Sequence, residues 1–307
     1  WTQESADLIG TGAIGNARQG TSVSLSADGN TLAVGGYRHN SDQGGHGYGV
    51  DLAEAIIESC DVFFYTTGVK TGIDLLSKES ALFGLGHITG IDLPGEKRGI
   101  MPDRAWKKDK RRQEWFNGDT INMSIGQGFM LTTPLQLAVM SARIATRGEQ
   151  IIPKLVKSID GKPVEPEFAG EKIGYDKKYW DYVHQAMVDV VHSKKGTARS
   201  ISKGLTYKLA GKTGTAQVIS INEKEKYDSS KIDKSKWDHA LFVAFAPAEN
   251  PQIALGLIVE NGEHGSRTAA PIARKVIDSY LMGYQQDSKP MATARLASGF
   301  SNPAESN

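Results

Sequence analysis

Three stretches near the end of the chain constrain its fold most. Ala240 to Ala246 and Ile253 to Val259 are apolar runs of strand length. Upstream of them, Ala210-Gly211-Lys212-Thr213-Gly214-Thr215-Ala216-Gln217 reads as the start of a buried strand continuing through Val218 and Ile219. Together they make three antiparallel strands, and a final helix from Ala269 to Leu281 would cover one face. The expected fold class is α/β in the α+β sense, an antiparallel sheet flanked by helices.

The strand around Lys212 also carries chemistry. Its ammonium supplies fixed positive charge, and the hydroxyls of Thr213 and Thr215 can hold an anionic group. Gly214 has no Cβ, so a substrate can lie against the backbone there. A backbone N–H just after that glycine can help stabilise a developing oxyanion. Lys-Thr-Gly also occurs in ordinary edge strands, so its flanks have to decide.

The flanks form an ordered series. Ahead of Tyr207-Lys208-Leu209-Ala210-Gly211-Lys212 come Ser59-Cys60-Asp61, Gly118-Asp119-Thr120-Ile121-Asn122, Ile125-Gly126-Gln127-Gly128 and Thr132-Thr133-Pro134-Leu135-Gln136. Behind it come His239-Ala240-Leu241-Phe242-Val243-Ala244-Phe245-Ala246-Pro247 and Val259-Glu260-Asn261-Gly262. The series resembles the penicillin-binding transpeptidases, specifically the elongation-type penicillin-binding protein 2 group, from about Val50 to Tyr284. Lys-Thr-Gly belongs to the signature of penicillin-binding proteins and class A β-lactamases. The long elongation-type signature after Gly118 disfavours a β-lactamase.

The resemblance implies a penicillin-binding/β-lactamase-like transpeptidase fold and peptidoglycan D,D-transpeptidase chemistry. That chemistry crosslinks cell-wall peptides by acyl transfer from D-Ala-D-Ala through a serine ester. It implies stem peptides and β-lactams as ligands, cell-elongation membrane proteins as partners, no nucleic acid and no cofactor. It also implies a place at the periplasmic face of the bacterial inner membrane. Among the residues, it assigns proton relay to Ser59, orientation of lysine or substrate to Asp61 and electrostatic support to Lys212. Thr213 and Thr215 would hold the substrate carboxylate beside Gly214, with the Thr215 N–H in the oxyanion hole. Without the resemblance, Ser59-Cys60-Asp61 reads as a connection between helices.

Composition adds bounds. The net charge of +1 points to neither nucleic acid nor an anionic membrane as a dominant partner, and 39% hydrophobic residues suffice for a core. One cysteine, Cys60, excludes an intrachain disulfide, and with His46 it makes only two candidate metal ligands, so no metal site is expected. No apolar run reaches the roughly 18 residues of a membrane span, and no signal peptide is read.

Along the chain, residues 1–45 differ from the rest. Thr21 to Ser26 alternates with period two, Asp28-Gly29 signals a turn, and Thr31 to Val34 is the return strand. This stretch resembles one repeat of a bacterial β-propeller, and His46-Gly47-Tyr48-Gly49-Val50 reads as a join to an unrelated sequence. From Asp51, a candidate N-cap, apolar residues recur at helical spacing through Leu52, Ala55, Ile56, Cys60, Phe63 and Phe64. Gly68 to Gly99 gives a helix and a glycine-rich loop, and Lys107 to Arg112 reads as a solvated basic loop between Trp106 and Trp115. Thr132 or Thr133 caps a helix with Pro134 in its first turn. Gly161-Lys162-Pro163 is a hairpin turn, Tyr179 to Val191 an amphipathic helix, Asn222 to Lys236 a hydrophilic loop, and residues 285–307 a disordered tail. The units expected are 1–45, 46–284 and that tail.

The family's nucleophile is a Ser-x-x-Lys lying upstream of Ser59, where i,i+3 spacing puts hydroxyl and amine on one helix face. Only Ser200-Ile201-Ser202-Lys203 fits that string here, and Gly204 would end any helix at once. The expectation is a transpeptidase domain incomplete in its N-terminal part and inactive for lack of that segment. The alternative is a non-enzymatic chimeric surface or binding protein that keeps the domain as a scaffold. If the sheet lacks its first strand, the Ile253–Val259 edge is open, and the 21–36 hairpin is a candidate to fill it.

Overall fold

The computed structural model describes residues 23–25, 32–34, 49–218 and 231–283. The expected tail, Ile219 and most of the hydrophilic loop lie outside them. The central sheet runs in the order β7 (Ala210–Ala216), β8 (His239–Ala246), β9 (Ile253–Val259), with both pairs antiparallel. The register sets Lys212 opposite Val243, and Val243 opposite Gly256.

The middle strand owes its place to two large side chains. Phe242 and Phe245 are both fully buried and, three residues apart, face opposite sides of the sheet. Phe242 packs with Val190, Val191, Leu209, Ala273 and Ile277, and Phe245 with Ala145, Met187, Val188 and Ala210. Ala210 opens β7 and Leu209 precedes it, and three helices supply the other partners: α6 (Pro134–Ala145), α7 (Lys177–His192) and α8 (Ala270–Met282). In α8 the buried Ala270, Ala273 and Ile277 recur at helical spacing, which is why a helix of this sequence lies on a sheet.

Helix α6 touches β9 backbone to backbone. A Cβ on Gly256 would fall 2.6 Å from Ala138 N and 2.7 Å from Pro134 O, so only glycine allows that approach. Thr133 caps α6 by accepting from Gln136 N at 3.1 Å, and the Gln136 side chain returns a bond to Thr133 N at 2.9 Å. The same buried carboxamide donates to His87 O and Arg98 O, at 2.6 and 2.8 Å, and so pins the glycine-rich loop against the helix.

The smaller helices form a second region: α1 (Leu52–Glu58), α2 (Asp61–Thr71), α3 (Ile73–Leu82), α4 (Arg104–Arg111) and α5 (Asn117–Ser124). Asp51 caps α1 by accepting from Glu54 N at 2.8 Å. At Gly68, α2 lies so close to α5 that a Cβ would meet Ser124 Cβ at 2.3 Å. Short ladders pair β3 (Ile151–Ile152) with β6 (Glu167–Phe168) and β4 (Ser158–Ile159) with β5 (Lys162–Pro163). The turn of the second ladder is Asp160-Gly161, so Lys162 and Pro163 stand in its return strand and not in the turn.

Three further expectations need correction. The basic run is solvated apart from Lys107, but it is no loop: it lies in α4 and its C-cap Arg112, and Asp103 starts that helix by accepting from Trp106 N at 2.7 Å. Lys107 is buried there with its ammonium 2.5 Å from Asp119. Strand β7 ends at Ala216 and does not run through Val218, whose N–H donates to the Asp238 side chain at 3.3 Å. The N-terminal hairpin forms, with β1 (Val23–Leu25) antiparallel to β2 (Leu32–Val34), but as a sheet of its own. Strand β1 pairs with β2 and neither pairs with β9, so the hairpin does not fill the β9 edge.

Candidate active site

Two chain segments build the site, the break between α1 and α2 and the strand β7. Ser59 closes α1 in the left-handed region, φ 55 and ψ 57, where a residue with a Cβ is unusual and held against a cost. That turn ends one helix and lets Asp61 begin the next, so the Ser59 hydroxyl leaves the helix axis instead of lying along it. Cys60 between them is buried, its N–H bonded to Ala55 O at 2.9 Å. Burial raises its thiol pKa, as suits a packing residue.

Lys212 reaches this break from β7. Its Nζ lies 2.5 Å from Ser59 Oγ and 2.7 Å from Thr213 O, joining residues 153 apart in sequence. The residue keeps some solvent access, yet the ammonium is enclosed by neutral acceptors. Burial pushes its pKa down to about 8, against the opposing pull of the Asp61 carboxylate. The Asp61 carboxylate thus favours the charged form of Lys212.

Beside Lys212, Thr213 Oγ1 lies 3.0 Å from Thr197 Oγ1. Thr197 sits on a clamped loop: its N–H donates to Ile57 O at 3.2 Å, and Lys195 pairs with Glu58 at 2.9 Å and Glu54 at 3.2 Å. These carboxylates, Glu58 first, raise the Lys195 pKa. Gly214 stands opposite Leu241, and a Cβ on Gly265 would meet Gly214 O at 2.6 Å, so the backbone entering α8 presses directly on β7. Thr215 is exposed, and its carbonyl accepts from Gln127 Nε2 at 2.7 Å.

The structure thus brings together Ser59, Lys212 and Thr213, with Asp61 within electrostatic reach and Gly214 and Thr215 continuing the same strand. Sequence reasoning gave no role to Thr197 or to the side chain of Gln127. Gly196 and the Gly126/Gly128 pair, each glycine next to a polar residue, were the available signals. Ser200 lies apart, exposed in a short 3-10 turn (Arg199–Ile201), so it has none of the helical pairing that a Ser-x-x-Lys nucleophile uses. Among the described residues no group of three His, Cys, Asp or Glu side chains could hold a metal ion. With a lysine whose pKa burial lowers to about 8 bonded to a serine hydroxyl, the arrangement can pass a proton.

Comparison with known proteins gives this geometry a context. A model of the penicillin-binding protein transpeptidase domain matches residues 25–278. The peptidoglycan D,D-transpeptidase MrdA of Acinetobacter baumannii is 42% identical over 242 residues, which are 78% of this chain and 35% of that protein. MrdA of Escherichia coli K12 is 36% identical over 261 residues, 82% of this chain and 40% of the relative. Among solved structures, Pseudomonas aeruginosa PBP2 in complex with WCK 5153 superposes with a TM-score of 0.70 at 40% identity, covering 92% of this chain and 60% of that one. PBP2 of Helicobacter pylori, solved in complex with MreC, gives 0.67 at 31% identity, covering 92% and 49%. The chain therefore spans 35% to 40% of the length of these curated relatives. The family match starts at residue 25, inside the N-terminal hairpin, so the likeness begins ahead of Val50. These relatives lend no support to a propeller repeat at 1–44.

Proposed function

The chain belongs to the penicillin-binding protein transpeptidase family, and from that premise we propose that it carries the proton-relay and carboxylate-binding half of a peptidoglycan D,D-transpeptidase site. The observation that carries the proposal is the 2.5 Å contact between Ser59 Oγ and Lys212 Nζ, made between two separate motifs of the family pattern. The substrate class is the stem peptide ending in D-Ala-D-Ala, with β-lactams as its mimics.

In this reading Ser59 passes a proton between the leaving group and the serine–lysine nucleophile pair. Lys212, its pKa lowered to about 8 and the group still mostly protonated at neutral pH, holds the Ser59 hydroxyl and lends positive charge to the anionic end of the substrate. Asp61 favours the protonated form of Lys212. The hydroxyls of Thr213 and Thr215 take the terminal carboxylate, Gly214 lets the peptide lie flat, and the Thr215 N–H faces the developing oxyanion. Cell-elongation membrane proteins as partners and the periplasmic face of the inner membrane follow from the family. No helix among the described residues is long and apolar enough to cross a membrane.

The residues in hand contain no Ser-x-x-Lys ahead of Ser59, so by themselves they should form no acyl-enzyme. Losing a member of such a unit typically costs on the order of 10⁶ in rate. Incubation with a fluorescent penicillin, denaturing electrophoresis and peptide mapping test this: no adduct is expected, and one on Ser59 or Ser200 would overturn the assignment. The positive arm joins the upstream transpeptidase segment of Acinetobacter baumannii MrdA to this chain. Acylation should appear on the supplied serine and vanish with Lys212→Ala. A folded graft that acylates equally well with Lys212→Ala would sink the proposal.

A further inference from the structure

Strand β7 has β8 on one side and no second strand neighbour among the described residues. In an extended strand, carbonyls two residues apart project the same way. Thr213 and Thr215 form such a pair, and a side chain occupies each carbonyl: Lys212 Nζ bonds Thr213 O, and Gln127 Nε2 bonds Thr215 O, both at 2.7 Å. Both donors approach from outside the sheet, so these carbonyls lie on the edge that faces away from β8.

An extended peptide that adds to a sheet edge must both accept from edge N–H groups and donate to edge carbonyls. On this edge the acceptor at Thr215 is already filled, and by a carboxamide, the side-chain group closest in chemistry to a peptide N–H. The backbone behind it is firmly set. Gln127 N donates to Asn122 O at 2.9 Å, Gly126 and Gly128 hold φ of 76° and 77°, and a Cβ on Gly128 would crowd Asn122 Cβ at 3.1 Å. Gly126, on the other side, has only Met130 Sδ at 4.0 Å near its Cβ position. The turn is fixed, while Gln127 itself is only partly buried and its bond to Thr215 O lies at the surface, where an incoming group can reach it.

We propose that Gln127 is a specificity-determining plug of the β7 edge: its carboxamide fills the donor position at Thr215 O and yields only to an extended peptide that brings its own N–H there. This rests on the reading of β7 as the substrate strand. Displacing one neutral hydrogen bond weakens binding by about 2- to 10-fold, so removing the plug returns that factor. Ligands that do not run along the edge leave Gln127 in place and pay nothing.

The experiment compares the chain with its Gln127→Ala and Gln127→Met variants. The first readout needs no ligand: the carbonyl ¹³C resonance of Thr215 should move upfield in both variants as its hydrogen bond is lost. The second is the dissociation constant for Nα,Nε-diacetyl-L-Lys-D-Ala-D-Ala by NMR titration, which should fall by about 2- to 10-fold in both. An unmoved Thr215 resonance overturns the plug and leaves the proposed function standing. A moved resonance with unchanged or weaker peptide binding makes Gln127 a support for β7 and overturns the plug as well. Binding by none of the three proteins refutes the reading of β7 as the substrate strand, and the plug falls with it.

Discussion

Two lysines draw their ammonium groups into the protein, and the two regions treat them in opposite ways. Lys107, between α4 and α5, meets a carboxylate: Asp119 lies 2.5 Å away, and the rings of Trp115, Phe116 and Phe129 stand within 4.8–5.9 Å of the charge. Asp119 is itself held by Phe116 N at 2.7 Å, so charge and countercharge form a closed unit. Lys212, between α1 and β7, meets a hydroxyl and a carbonyl, both neutral, and the opposing pull of the Asp61 carboxylate does not offset the cost of burying its charge. A compensated cation holds a structure together. An incompletely compensated one sits near its titration point and can do chemistry.

The largest effect that would break this comparison is a matched pair of substitutions. Lys107→Met leaves the Asp119 carboxylate buried without its cation and should destabilise the fold by about 3–5 kcal/mol. Lys212→Met removes an ammonium that burial disfavours and should cost less than about 1 kcal/mol at pH 7, its lost bonds offset by relief of desolvation. Urea denaturation of both variants measures the difference. Equal costs would mean that the two sites are not different in kind.

The next effect is in pH. The folded-state pKa of Lys212, about 8, lies below its ordinary 10.5, so between these values the unfolded chain binds the proton more tightly. Stability contributed by this group therefore rises as pH climbs from about 8 towards 10.5 and is least below that window. Against Lys212→Met, the wild-type chain should gain at most about 3 kcal/mol across it. A flat difference between the two proteins over the same range would contradict the depressed pKa.

A smaller effect sharpens the boundary between site and scaffold. Gly265→Ala places a Cβ against Leu241 O at 2.4 Å and Gly214 O at 2.6 Å, backbone atoms that cannot turn aside. The expected cost is about 1–3 kcal/mol, with amide shifts concentrated at Gly214 and Thr215 in NMR spectra. Shifts confined to α8 would show that the entry to this helix does not support β7.

The sequence made the scaffold legible where composition alone decides. Ala240–Ala246 and Ile253–Val259 are apolar enough to be strands in any context, and Thr133-Pro134 with Gln136 announces a helix start. Lys107 was illegible: in a run of charges nothing local distinguishes the one cation that is buried, because its partner stands twelve residues on and its aromatic walls come from another loop. The Ser59–Lys212 pair was legible only through resemblance to a family, since no local rule joins residues 153 apart. Thr197 and Gln127 stayed hidden for a related reason. Their contacts with Thr213 and Thr215 arise when separate loops close on one strand, and glycines merely hint that such closures occur.

The most direct measurement is the titration of Lys212 itself, followed through its ¹³Cε resonance and assigned with Lys212→Arg. A midpoint near 8 is expected, falling further in Ser59→Ala, where the ammonium loses an acceptor that favours its charged form. A midpoint near 10.5, unchanged in Ser59→Ala, would mean that Lys212 is an ordinary solvated lysine and that Ser59 and Lys212 do not form a proton-transfer pair.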